Sequence, residues 1–162
     1  MRVPEPSVAQ GARTLVRLAR LLERADAGVS LAQFRILELV ARGTERSSQI
    51  ASRLATSKPA VTLVVDGLVN AGLLNRESVA GDRRAIRLTL TPRGRQALAR
   101  AEEAYCERLK PLLAEISDPH ALLTQLAEID AALDARWARR AERRATRPAP
   151  PPTTLEEVPR GQ

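Results

Sequence analysis

The sequence predicts a mainly α-helical fold carrying one small β-hairpin, and three observations predict it. Apolar residues recur at spacings of three and four along most of the 162 residues, the signature of helices that bury one face. The period switches to two just once, where Ile86, Leu88 and Leu90 alternate with Arg87, Thr89 and Thr91, as in a half-buried strand. Punctuation residues separate the helical stretches: Ser30, Ser57 and Thr91 stand where N-caps belong, and Gly43 and Gly72 stand where helices end.

Residues 1–7 hold two prolines and little apolar surface, so a flexible arm is expected. Ala12, Leu15, Val16, Ala19 and Leu22 then form a helical stripe within 8–28, with the helix running to about Asp26. Arg13, Arg17, Arg20 and Arg24 oppose that stripe as a solvated face. Ser30 and Gln33 make a capping box for a second helix, whose core face is Phe34, Leu37, Val40 and Ala41 and which Gly43 ends. After a turn over Thr44 to Arg46, Gln49, Ile50, Ala51 and Leu54 fit one short helix. Ala55 and Thr56 separate it from the next, in which Ser57 is the cap and Pro59 falls in the first turn, where its missing N–H is harmless. Val61, Val64, Val65, Leu68 and Leu73 line that helix. Two helices joined so tightly form a helix-turn-helix, which can push its second helix into the DNA major groove.

Residues 73–79 are expected to pair with the alternating strand around the turn Ala80-Gly81-Asp82-Arg83-Arg84, with Gly at the position that needs positive φ. A hairpin following a helix-turn-helix is a wing, here 75–91, and 29–91 forms the lobe that contains it. Residues two apart on a regular strand share a face, which would put Asp82 beside Arg84. Between Asn75 and Arg93 the chain has five arginines against two acids, a local excess that suits a polyanionic partner, as does the overall charge of +7.

Thr91-Pro92 restarts helix. Leu98, Ala101, Tyr105, Leu109, Leu112, Leu113 and Ile116 carry a stripe to Ser117, with a kink expected at Pro111. Asp118-Pro119 opens a last helix with the stripe Leu122, Leu126, Ile129, Leu133 and Trp137. Running to about Ala145, it would be roughly 40 Å long and in need of a partner for its apolar face. A second copy of the chain is the economical partner; a hairpin with the N-terminal helix is the alternative. The segment 147–162 has five prolines and no periodicity, and is expected to be disordered.

Several classes are disfavoured. Cys106 is the one cysteine and His120 the one histidine, so neither an internal disulfide nor the usual Cys/His zinc sets can be assembled, and no metal or cofactor is expected. No serine, histidine or carboxylate set forms a catalytic constellation, so an enzyme is not expected. No apolar run approaches the ~20 residues of a membrane span, and the N-terminus lacks a signal-peptide core, so a cytoplasmic protein without membrane contact is expected.

The run SQIASRL, then SKPAVTLVVDGLVNAGLLNR, then Asp82 and Arg84 followed by IRLTLTPRG resembles the MarR family of winged helix-turn-helix transcription regulators, over roughly Val8 to Trp137. The resemblance implies a homodimer held by long helices from both chain ends, 8–28 and 92–146, through Leu15, Leu22, Leu122, Leu126, Ile129, Leu133 and Trp137. It implies a double-stranded, pseudo-palindromic DNA operator, repression, and release by a small anionic or phenolic effector. The implied DNA contacts are Ser47, Ser57, Lys58, Pro59, Ala60, Thr62 and Leu63 from the helix-turn-helix, with Arg76, Asp82, Arg83, Arg84 and Arg87 from the wing. Arg84 would enter the minor groove and Asp82 would orient it. Positions 63 and 67, often basic or polar in relatives, are Leu63 and Gly67 here, which moves more of the affinity to the wing. Two alternatives accompany this reading: a winged-helix module for protein or RNA contacts, and a redox-sensing regulator working through Cys106. Aromatics at 2% leave little for unpaired bases to stack upon.

Overall fold

A computed structural model describes residues 7–43, 46–79 and 82–145, with the side chains of 48, 79, 82–85, 141, 144 and 145 left out. The expected arm over 1–6, Thr44 and Glu45 of the expected turn, the wing tip Ala80-Gly81 and the tail from 147 lie outside the described residues. The order is α1 (Val8–Glu23), α2 (Leu31–Ala41), α3 (Ser47–Arg53), α4 (Lys58–Asn70), β1 (Leu74–Val79), β2 (Asp82–Leu90), α5 (Pro92–Ala114) and α6 (Pro119–Ala145). The mainly helical fold with one antiparallel hairpin is therefore as expected. The chain divides near His120 into two compact units, the second consisting of α6 from Ala121 onward.

Side chains cap α1, α2, α4 and α5, whereas Arg46 at the start of α3 makes no side-chain cap bond. Ser7 Oγ accepts from Gln10 N–H, and Ser30 and Gln33 exchange both bonds of a capping box. Ser57 Oγ accepts from Ala60 N–H, and Thr91 Oγ1 accepts from Gly94 N–H at 2.9 Å. These caps satisfy backbone donors that no helical carbonyl can reach. Gly43 and Gly72 follow α2 and α4 with φ of +87° and +69°, a region that costs glycine little. Ala55 takes the same role after α3 with φ of 49°, at a position where a Cβ is disfavoured. The sharp turn between α3 and α4 depends on it, with Thr56 N–H bonded back to Ala51 O.

One core joins α2, α3, α4, the hairpin and α5. Ile36, Leu37, Ile50, Val61, Val65, Leu68, Leu74 and Leu88 are all essentially inaccessible within it. In α2 the buried set is Ile36, Leu37, Leu39 and Val40, while Ala41 is exposed and Phe34 half-buried, so this helix is covered on more of its circumference than one stripe. A smaller cluster of Ala27, Ala101 and Tyr105 holds Leu22 and Phe34. The Phe34 ring meets Tyr105 edge-on at 4.9 Å, a favoured aromatic geometry. Burial pushes the Tyr105 phenol above its usual range.

Two helices end earlier than their stripes suggest. α1 stops at Glu23 rather than Asp26, and the Arg108 guanidinium from α5 donates to Arg24 O at 3.1 Å, satisfying one of the carbonyls a helix end leaves open. α5 stops at Ala114, three residues short of Ser117. Pro111 has no N–H for the Glu107 carbonyl, and the chain leaves the helix through two tight bonds, Glu115 N–H to Leu112 O and Ile116 N–H to Leu113 O.

The stripe expected on α1 is only partly covered within the chain. Leu15 and Val16 are 57% and 59% exposed, and no α1 residue is fully buried. Leu18, Ala19, Leu21 and Leu22 in the C-terminal half are half-buried instead. In α6, Leu123, Leu126, Ile129 and Leu133 are 39% to 52% exposed, Leu122 and Trp137 are half-buried, and the Arg140 guanidinium lies 5.7 Å from the Trp137 ring.

Candidate nucleic-acid interface

The apolar stripe of α4 decides what its other face can do. With Val61, Val65 and Leu68 in the core, the helical period turns Lys58, Pro59, Ala60, Thr62, Leu63 and Gly67 outward, and all six are exposed. Lys58 is the first residue of the helix, so its ammonium lies near backbone N–H groups that also favour an anion. Thr62 Oγ1 donates to Lys58 O at 2.9 Å, which leaves the hydroxyl oxygen free to accept. Leu63 is 75% exposed, so packing within the chain does not account for it. A Cβ on Gly67 would meet nothing within 4 Å, and this face is open along its length. Ser57 caps the helix and Ser47 begins α3, where it is half-buried.

The hairpin register separates the wing residues by face. Leu74 pairs with Leu90, Arg76 with Leu88 and Ser78 with Ile86, whereas Asn75 pairs with Thr89 and Glu77 with Arg87. Directly opposed residues point to the same side. Arg76 therefore shares the side of the buried Leu88, and its guanidinium is ion-paired with Asp66 of α4. On the other side Glu77 faces Arg87, and Thr89 Oγ1 donates to Glu77 Oε1 at 3.0 Å. The sequence places Arg76 among the DNA contacts without disclosing its partner, because the pairing depends on how the hairpin leans on α4.

The expectation that Asp82 and Arg84 share a face assumes a regular strand, and this strand is not regular. Ser78 pairs with Ile86 but Val79 with Asp82, so Arg83, Arg84 and Ala85 form a bulge on β2. A bulge bends its strand and re-aims side chains. The bulge places the backbone of Arg83 and Arg84 at the distal end of the hairpin.

The hairpin is anchored at its base. Thr91 Oγ1 donates to Gly72 O at 2.8 Å, and Thr91 N–H donates to Leu73 O at 3.1 Å. Beside this junction lies a cleft of about 260 Å³ lined by Ala27, Leu73, Ala97, Arg93, Gln96 and Arg100. Arg93, Gln96 and Arg100 project from one face of α5, at the i, i+3 and i+7 positions.

Cys106 is exposed on α5. Lys110, one turn further on, is bonded to Glu107, so this cation is already engaged. Cys106→Ser is expected to leave DNA affinity and any peroxide response unchanged. A peroxide-dependent release of duplex that the variant loses would show the thiol to be a sensor.

Residues 27–85 match the family model described as MarR family. Among curated proteins, the uncharacterized HTH-type transcriptional regulator YkoM of Bacillus subtilis (strain 168) is 34% identical over 83 residues, 51% of this chain and 54% of that protein. The chain spans about half the length of the curated relatives it matches. A structure of the transcriptional repressor CouR bound to a 23-mer DNA duplex is 29% identical, covering 76% of this chain and 92% of that one at a TM-score of 0.64. CouR from Rhodococcus jostii RHA1 bound to p-coumaroyl-CoA has the same fold at 17% identity, covering 80% of this chain and 92% of that one at a TM-score of 0.63. The fold and these matches define a winged helix-turn-helix protein. Over residues 27–85 the chain is similar to the MarR family, and its fold is similar to that of the DNA-bound repressor CouR.

Proposed function

We propose that the protein is a transcription regulator, acting as a repressor, that binds a pseudo-palindromic DNA duplex as a homodimer. The observation that carries this reading is the outward face of α4, where Lys58, Thr62 and Leu63 stand exposed beside an arginine-rich hairpin. α4 enters the major groove, with Lys58 on phosphate, Thr62 accepting from a base edge or a bound water, and the Leu63 side chain against a thymine methyl. The distal hairpin, with Arg83 and Arg84, meets the minor groove, and Arg87 meets phosphate. The similarity to a repressor bound to duplex DNA supports this assignment. Two copies pair through the exposed apolar faces of α1 and α6, which matches a two-fold operator. A small anionic or phenolic effector fits the cleft flanked by Arg93 and Arg100. The site of action is the cytoplasm, and among the described residues no helix is long and apolar enough to cross a membrane.

The test is a salt titration of duplex binding with Arg84→Ala and, as a control of equal charge, Arg160→Ala. Arg84→Ala is expected to weaken binding by about 1 to 3 kcal/mol per chain and to flatten the logarithmic salt slope by roughly one unit for each phosphate that the variant no longer neutralises. Equal effects of the two substitutions at every salt concentration would remove the hairpin from the site. Salt-insensitive binding to a protein, with no affinity for duplex, would replace the DNA reading altogether.

A further inference from the structure

Asp66 is out of place on a surface that meets DNA. It lies on α4 one turn beyond Thr62, partly exposed and next to the face proposed for the major groove. A carboxylate there repels phosphate, and an exposed ion pair contributes little to stability. Neither the charge of the surface nor the stability of the fold explains it.

Its partner does. Arg76 reaches Asp66 across ten residues of chain, and those residues include the turn in which α4 gives way to β1. The turn holds Gly72 at φ +69°, with no side chain to brace it, and above its base the hairpin is only two strands wide. Arg76 springs from the hairpin side that carries Leu88, where it leans on α4 rather than away from it.

From this juxtaposition we infer that Asp66 and Arg76 are positioning residues, whose ion pair fixes the angle between α4 and the hairpin so that both can engage one duplex. Arg76 is then not itself a phosphate contact. This inference rests on the DNA-binding reading above. Failure of the wild-type chain to bind any duplex would refute that reading, whereas the outcomes below require that it binds.

The sign of the Asp66→Asn effect separates the two possibilities. Removing a negative charge near phosphate strengthens binding if charge alone matters. Loss of positioning weakens it. We expect Asp66→Asn to weaken operator binding about three- to tenfold, which corresponds to about 0.6 to 1.4 kcal/mol, with the melting temperature nearly unchanged. Arg76→Ala should weaken binding to a similar extent while keeping the wild-type salt slope, and the double variant should be no worse than either single one. The exchanged pair, Asp66→Arg with Arg76→Asp, should recover affinity relative to each of its single substitutions. Tighter or unchanged binding by Asp66→Asn would overturn the inference. So would a salt slope flattened by about one unit in Arg76→Ala, which would mark a phosphate contact, or strictly additive effects in the double variant.

Discussion

Gly94→Ala is expected to destabilise the protein severely, although helix propensity alone predicts the reverse. Alanine in a helix interior is favoured over glycine by about 1 kcal/mol, and Gly94 lies in the first turn of α5. A Cβ at this position, however, would lie 2.0 Å from the carbonyl oxygen of Leu73, 3.0 Å from its carbonyl carbon and 3.2 Å from Leu90 Cδ2. The oxygen cannot easily move aside, because it accepts from the Thr91 N–H at 3.1 Å, and Thr91 caps α5. Relief of the clash means lifting α5 off the base of the hairpin and opening the core between Leu74, Leu88 and Leu98. Overpacking typically costs about 1 to 3 kcal/mol and sometimes more, and a backbone obstacle puts this case at the upper end. For a chain of this length the melting temperature should fall by roughly 10 °C. Thermal unfolding followed by circular dichroism checks it; a variant that melts at or above the wild-type temperature would show that α5 is free to shift.

The second large effect is expected on assembly. Ending the chain before Pro119 should convert a dimer into a monomer and weaken operator binding by about a hundredfold or more, because two linked half-site contacts become independent. The argument is that Ile129 is 52% exposed and Leu133 47% on one helix, while Leu15 and Val16 of α1 are similarly bare. Apolar faces of that extent mark an interaction surface. Leu126→Asp with Ile129→Asp in the full chain tests the same surface without removing α6. Sedimentation of either variant as a dimer with unchanged duplex affinity would place the interface elsewhere.

The sequence disclosed what depends on short-range chemistry. Ser30, Ser57 and Thr91 act as caps, and the stripe through Val61, Val65 and Leu68 forecasts which face of α4 turns inward. Features set by two segments meeting in space were not legible. Gly94 looks like an ordinary residue of the first helical turn until Leu73 O is found against it. Arg76 looks like one more cation of a basic wing until Asp66 is found across the turn. The slip between Ser78 and Val79 escapes notice because alternation is readable only where the strand is regular, and Arg83-Arg84 carries no apolar mark of its face. Leu18 and Leu21 are easily overlooked because almost every second or third position of α1 is apolar, so the period cannot choose a side.

The bulge in β2 also bears on solubility. A two-stranded sheet has no interior strand, and each of its strands presents an unpaired edge to which another chain could add. Here the ladder loses its regular register just where Arg83 and Arg84 enter it. Irregular backbone opposes strand addition, so the register shift that ends the regular ladder also makes this end of the hairpin a poor template for another strand.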